Sequence, residues 1–195
     1  MLIPHLPKPV RSIYRLPTAD EMIRRYELER TRLLSTAIWA EQFGWSWRPV
    51  PAKFGCALLM CKEGWNEEDR FHVSFGWNCT LTWIPRPPSV PKPCAERMAL
   101  TMGLDAGYYL IAGGAIFSSH IQRDDITGRI YRTPHPCYEC LEWLEVRMAP
   151  SAKMMTARPR WACDAIEFPE ESHKSLVIEE PNYHKLVSYQ HCEAG

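Results

Sequence analysis

The chain has 195 residues, with 23 basic side chains balanced by 23 acidic ones, 17 prolines and 8 cysteines. That length suits one domain with one sizeable core, and a formal net charge of zero counts against binding driven by phosphate neutralisation. No stretch reaches the ~18 consecutive apolar residues of a membrane span. The three prolines of MLIPHLPKPV do not suit a signal peptide, so the cysteines are expected as reduced thiols, some of them binding metal, in a cytoplasmic setting.

Residues 1–17 carry Pro4, Pro7, Pro9 and Pro17 and read as an extended arm. Thr18 or Asp20 can cap a helix that runs to about Phe43, with Met22, Ile23, Tyr26, Leu33, Leu34, Ile38 and Trp39 at helical spacing. Its charged face, Arg24 to Arg32, reads as a solvated, salt-bridged surface. Residues 54–61 form an apolar run and 70–79 an alternating one, both of strand character, joined by a polar turn. Residues 85–93 hold five prolines and form a stiff loop. A helix is predicted over 95–102, ended by Gly103, then a strand over 108–117. A polar segment follows over 118–135, with a turn at 125–128. A helix over 137–148 carries Leu141, Leu144 and Met148 on one side, and a strand is predicted over 152–156. Strands alternating with helices predict an α/β fold with parallel pairing in its later half. The core domain is placed at 18–169, and the polar tail 170–195 is a C-terminal extension.

Two segments carry the chemistry: Pro93-Cys94-Ala95-Glu96-Arg97 and Pro136-Cys137-Tyr138-Glu139-Cys140. Each sets a cysteine directly after a proline at the start of a predicted helix. There the positive end of the helix dipole favours the thiolate that binds metal. Cys137 and Cys140, three apart, share one helix face. With Cys94 they make three ligands and an open fourth position, the composition of a catalytic rather than a structural Zn²⁺ site. Glu96, two residues past Cys94, is placed to move protons to and from water without being a ligand, the pattern of zinc deaminases. Arg97 reads either as a hydrogen-bond donor to the thiolate sulfurs or as a surface charge. The competing reading is a closed structural site with Cys56, Cys61 or Cys79 as fourth ligand, and Glu96 as no more than a carboxylate at a helix N-terminus.

Cys-Ala-Glu-Arg at 94–97 followed by Pro-Cys-x-x-Cys at 136–140 resembles the cytidine deaminase superfamily, in its three-cysteine branch of small cytidine and blasticidin-S deaminases. Pro51-Ala52-Lys53-Phe54 with Gly55-Cys56-Ala57-Leu58-Leu59 is similar to the segment opening that family's first strand, and Lys153-Met154-Met155-Thr156 to the strand after its second zinc helix. The resemblance spans roughly 20–160 and implies a three-layer α-β-α fold with a mixed central sheet. It also implies hydrolytic deamination of a cytosine-type amine in a nucleoside or nucleoside-like small molecule, and a homo-oligomer. Asn78 is the expected sugar or polar-substituent contact, and Phe54 and Trp77 the aromatic surfaces against which a base would stack. The chain departs from the family at Thr80, where a Glu is usual, and at Leu141, where Arg is frequent. The second reading is a deaminase of single-stranded nucleic acid, with Lys8, Arg11, Arg15, Arg86 and Lys92 on phosphates. The third is a zinc-stapled binding module without catalysis.

Overall fold

The computed structural model describes residues 13–46, 53–80, 94–120, 133–159 and 176–181. The proline-rich loop, the turn at 125–128, and Lys8, Arg11, Arg86 and Lys92 lie outside them. The first helix, α1 (Ala19–Glu41), begins at a capping box: the Thr18 hydroxyl accepts the Glu21 N–H and the Glu21 carboxylate accepts the Thr18 N–H. Its inward stripe is Met22, Tyr26, Leu33, Ala37 and Ala40, whereas Ile23 and Trp39, expected on that stripe, are partly exposed. Small alanines allow close approach to the sheet, so the bulky residues flank the contact. Glu29, on the charged face, is buried and pairs with Arg25 at 2.7 Å.

After a two-residue strand β1 (Trp45–Ser46), the apolar run becomes β2 (Gly55–Cys61), buried throughout. A single-turn helix α2 (Glu67–Arg70), capped by Asn66, occupies the polar turn and leads into β3 (Phe71–Trp77). Then come β4 (Cys79–Thr80), α3 (Ala95–Asp105), β5 (Leu110–Phe117), α4 (Tyr138–Glu145), β6 (Met148–Pro159) and β7 (Leu176–Glu179). Two predicted boundaries move. Gly103 lies inside α3 because a Cβ there would meet the Met60 sulfur at 2.0 Å; the chain turns instead at Gly107, where φ is +86°. Met148 starts β6 rather than ending α4.

The main sheet runs β3-β2-β5-β6-β7. β5 and β6 are parallel, while β2 pairs antiparallel with β3 and β5, and β7 with β6. The fold class is therefore the expected α/β one with a mixed central sheet. Strand alternation divides the core in two. Ala57, Leu59, Phe71, Ala115, Met155 and Ala157 pack under α1. Cys56, Leu58, Met60, Ile116 and Met154 pack under Ala95, Ala99 and Leu100 of α3 and Leu141 and Leu144 of α4. These are three layers, helix, sheet, helices. The carboxyl ends of β3, β5 and β6 and the amino end of β2 share one edge of the sheet, since Trp77, Gly55, Phe117 and Ala157 are successive register partners. Among the described residues no helix is long and apolar enough to cross a membrane.

Candidate metal centre

Each of the two proline-led cysteines becomes the residue before a helix. Cys94 (φ −78°, ψ 154°) precedes α3 and Cys137 (φ −69°, ψ 162°) precedes α4, both extended and neither using its side chain to cap. The thiols are thus left to face one another. The Cys137 carbonyl accepts the N–H groups of Cys140 and Leu141, both at 2.9 Å, which winds Cys140 back over Cys137 and leaves their sulfurs 3.4 Å apart. The Cys94, Cys137 and Cys140 sulfurs all lie within 4.8 Å of one another. α3 is drawn onto the sheet at Gly76, where a Cβ would sit 2.4 Å from both the Ala95 carbonyl and the Ala99 nitrogen. That contact places the first turn of α3 at the shared strand edge.

As thiols, Cys94 and Cys140 resist ionising beside Cys137. Its hydrogen bond with Cys137 pushes the Cys94 thiol up to about 12, and crowding by Cys137 and Cys94 raises Cys140 further still. Crowding and burial here outweigh the helix ends expected to lower the thiol pKa. A dication is what permits three adjacent thiolates in so small a volume, and an all-sulfur set suits zinc. Among the described residues no fourth His, Cys, Asp or Glu joins the group: Cys56, Cys61 and Cys79 stay outside it.

Glu96 is in the first turn of α3 and buried, with 5% of its surface exposed. Burial pushes its carboxyl up to about 7. The carboxylate in turn adds to the raised pKa of Cys56, which burial raises most.

Arg97 is also buried and joins the two helices. Its Nη2 donates to the Glu139 carbonyl at 3.2 Å and lies 3.2 Å from the Glu139 carboxylate, and the guanidinium stands 4.9 Å over the Trp143 ring. Among the described residues its Nε and Nη1 have no hydrogen-bond partner. Neither donor reaches a sulfur of the group, and it is the three convergent sulfurs themselves that make a zinc-binding donor set. The residues present therefore fit a zinc ion.

The expected substrate contacts divide. Phe54 packs against the core on the α3–α4 side. Asn78 is buried and brackets it: its Oδ1 accepts the Phe54 N–H at 2.7 Å and its N–H donates to the Phe54 carbonyl at 3.2 Å. Trp77 is not brought to the thiols. Gly76 meets α3, so strand alternation turns Trp77 to the α1 face, where its ring lies 5.5 Å from Phe43 and 6.3 Å from Phe75.

No family model and no curated protein sequence matches the chain. Among solved structures, a cytidine deaminase from Burkholderia pseudomallei aligns over 77% of this chain and 91% of its own, at 18% identity and a TM-score of 0.49. One from Mycobacterium tuberculosis aligns over 65% and 83%, at 15% identity and a TM-score of 0.45. One from Mycobacterium leprae aligns over 65% and 87%, at 19% identity and a TM-score of 0.41.

Proposed function

We propose that this chain is a zinc-dependent hydrolytic deaminase that converts a cytosine-type amine of a nucleoside or nucleoside-like small molecule to the carbonyl, with release of ammonia. The observation that carries the reading is the convergence of three thiols from two helix starts, with the buried Glu96 two residues past one of them. Cys94, Cys137 and Cys140 would hold the zinc, which when bound acidifies water at neutral pH. The chain's own residues do the rest. Glu96 takes a proton from water and delivers it to the ring nitrogen of the base as the water oxygen bonds to the amine-bearing carbon. It then moves the remaining O–H proton to the amine, which leaves as ammonia as the C–N bond breaks and the carbonyl forms. Its seclusion from solvent keeps those protons in the site. Arg97, a buried cation tied to Glu139 of α4, would offset part of the negative charge of three sulfurs. Phe54, held on both sides of its backbone by Asn78, offers the aromatic surface for the base.

Two alternatives are disfavoured by particular contacts. Of the cations expected on a polynucleotide, Arg15 is engaged by both oxygens of Glu21, at 2.6 and 2.7 Å. A closed zinc staple needs a fourth ligand, which the described cysteines do not supply. A homo-oligomer and a reducing, cytoplasmic setting complete the proposal.

The test is ammonia release from a panel of cytosine-, adenine- and guanine-type nucleosides and bases. Glu96→Ala should lower turnover of the accepted substrate by about 10²–10⁴-fold while one zinc per chain is retained. Equal ammonia release by wild type and Glu96→Ala across the panel would sink the enzyme reading.

A further inference from the structure

A short polar chain runs through the packed interior beside α4, among apolar neighbours where such groups are costly unless joined. The Thr156 hydroxyl of β6 lies 2.8 Å from the Thr133 hydroxyl, and the Thr133 hydroxyl lies 2.7 Å from Oε2 of Glu179 in β7. Both threonines are 0% exposed. The direction of the chain follows from its end: a carboxylate only accepts, so Thr133 donates to Glu179 and Thr156 donates to Thr133. Thr156 and Glu179 are register partners across the β6–β7 pair, so the two strands present one side chain each to Thr133 from the same face of the sheet. That face is the one carrying Met154, which packs under α3 and α4.

Thr133 stands four residues before Cys137, and the segment between them is Pro134-His135-Pro136. Two prolines fix φ at alternate positions and hold the intervening residue extended. A segment so stiffened has little freedom of its own. Where its first residue is anchored and which way it points determine where its last residue arrives. That last residue is Cys137, and the helix it begins carries Cys140. Two of the three sulfurs are thus delivered by a lever whose inner end is tied through the Thr133 hydroxyl to Thr156 and Glu179.

Building on the metal reading above, we infer that Thr133 and Glu179, with Thr156, are positioning residues of the metal centre: β7, in the tail beyond the core domain expected from sequence, sets the Cys137–Cys140 arm against Cys94. Their effect passes through the backbone and not through contact with the ion. Partners of ligand-bearing elements are worth 10–100-fold in metal affinity when removed.

The test uses the full-length chain and reads the metal directly. Zinc affinity is measured by competition with a chromophoric chelator, and Co²⁺ is used as a spectroscopic probe of the sulfur set. Thr133→Val and Glu179→Ala break the chain, while Thr133→Ser and Glu179→Gln keep a hydroxyl donor and an oxygen acceptor. The breaking variants should bind zinc about 10–100-fold more weakly, with reduced sulfur-to-cobalt charge-transfer absorption, and the conservative variants should restore both. Glu179, at the partly exposed edge strand, serves as the second site if Thr133→Val fails to fold. Wild-type affinity and an unchanged cobalt spectrum in Glu179→Ala, even with a lowered melting temperature, would show a purely structural role and overturn the inference. Wild-type chain that takes up neither zinc nor cobalt would instead remove the metal reading, and this inference with it.

Discussion

At the residue scale, three neighbours in one helical turn are sent in three directions. Cys94 ends the approach, Glu96 is turned into the interior and Arg97 reaches across to α4, because successive positions on a helix point about 100° apart. The spacing in Cys-Ala-Glu-Arg set Glu96 beside Cys94 but left Arg97 open between a thiolate donor and a surface charge, and only the fold ties it to Glu139 of α4. What Asn78 does was not legible in the sequence: its side chain holds the Phe54 backbone from a strand distant in sequence. Arg15 and Glu21 give a second single-residue case, with a pH signature. Hydrogen bonds from Arg15 and the Thr18 N–H lower the Glu21 carboxyl from an ordinary 4.5 to about 2. The folded state therefore gains stability from the Glu21 carboxylate above about pH 4.5 and loses it as pH falls toward 2. Glu21→Gln should cost about 1 kcal/mol at neutral pH and nothing below pH 2, so its stability curve should converge on the wild-type curve in acid. Parallel curves in urea melts across that range would show that the carboxylate is not the cause.

At the element scale, the controlling contact is α3 on β3. Helix and strand were both legible from periodicity, yet neither period says how closely they approach. Gly76 decides that, and the atoms its Cβ would strike are backbone, which cannot swing aside as a side chain can. Gly76→Ala should therefore lift the start of α3, carrying Cys94 and Glu96 away from Cys137 and Cys140. A global cost of about 1–3 kcal/mol is expected from overpacking, with a larger proportional loss of zinc affinity and of turnover per bound zinc. Denaturant midpoints measured beside zinc titrations separate the two. Loss of stability with full zinc affinity would mean that α3 moves as a body without opening the site. Trp77 carries the same lesson. Its expected place beside a base required the phase of β3 alternation, and that phase is set by which residues meet α3.

At the scale of the whole molecule, the two cores differ in their dependence on metal. The core under α1 contains none of the three thiols or Glu96, while the other packs the helices that carry them. Chelation should therefore abolish turnover and lower the melting temperature without unfolding the chain. Far-UV circular dichroism should keep its helical and sheet signal, and zinc should restore activity. Bound metal adds stability only as its affinity and concentration allow. A chain that unfolds on chelation would be a zinc-stapled module instead, built as small metal-dependent domains are.

By itself, the sequence determined the alternation of elements, a cap at Thr18 or Asp20 and the parallel pairing of β5 with β6, and it singled out Cys94, Cys137 and Cys140 as one sulfur group. The elements and the cap follow from local rules, helical and strand periods and capping chemistry, while the joining of Cys94 to the distant Cys137 and Cys140 came from the pattern of the two motifs. The tertiary structure alone decided that Trp77 faces away and that Cys56, Cys61 and Cys79 stay outside the sulfur group. It alone showed that a strand from the polar tail, through Glu179, reaches Thr133, four residues before the Cys137–Cys140 pair. These depend on which faces meet and how closely, and that is settled by packing between segments far apart in the chain.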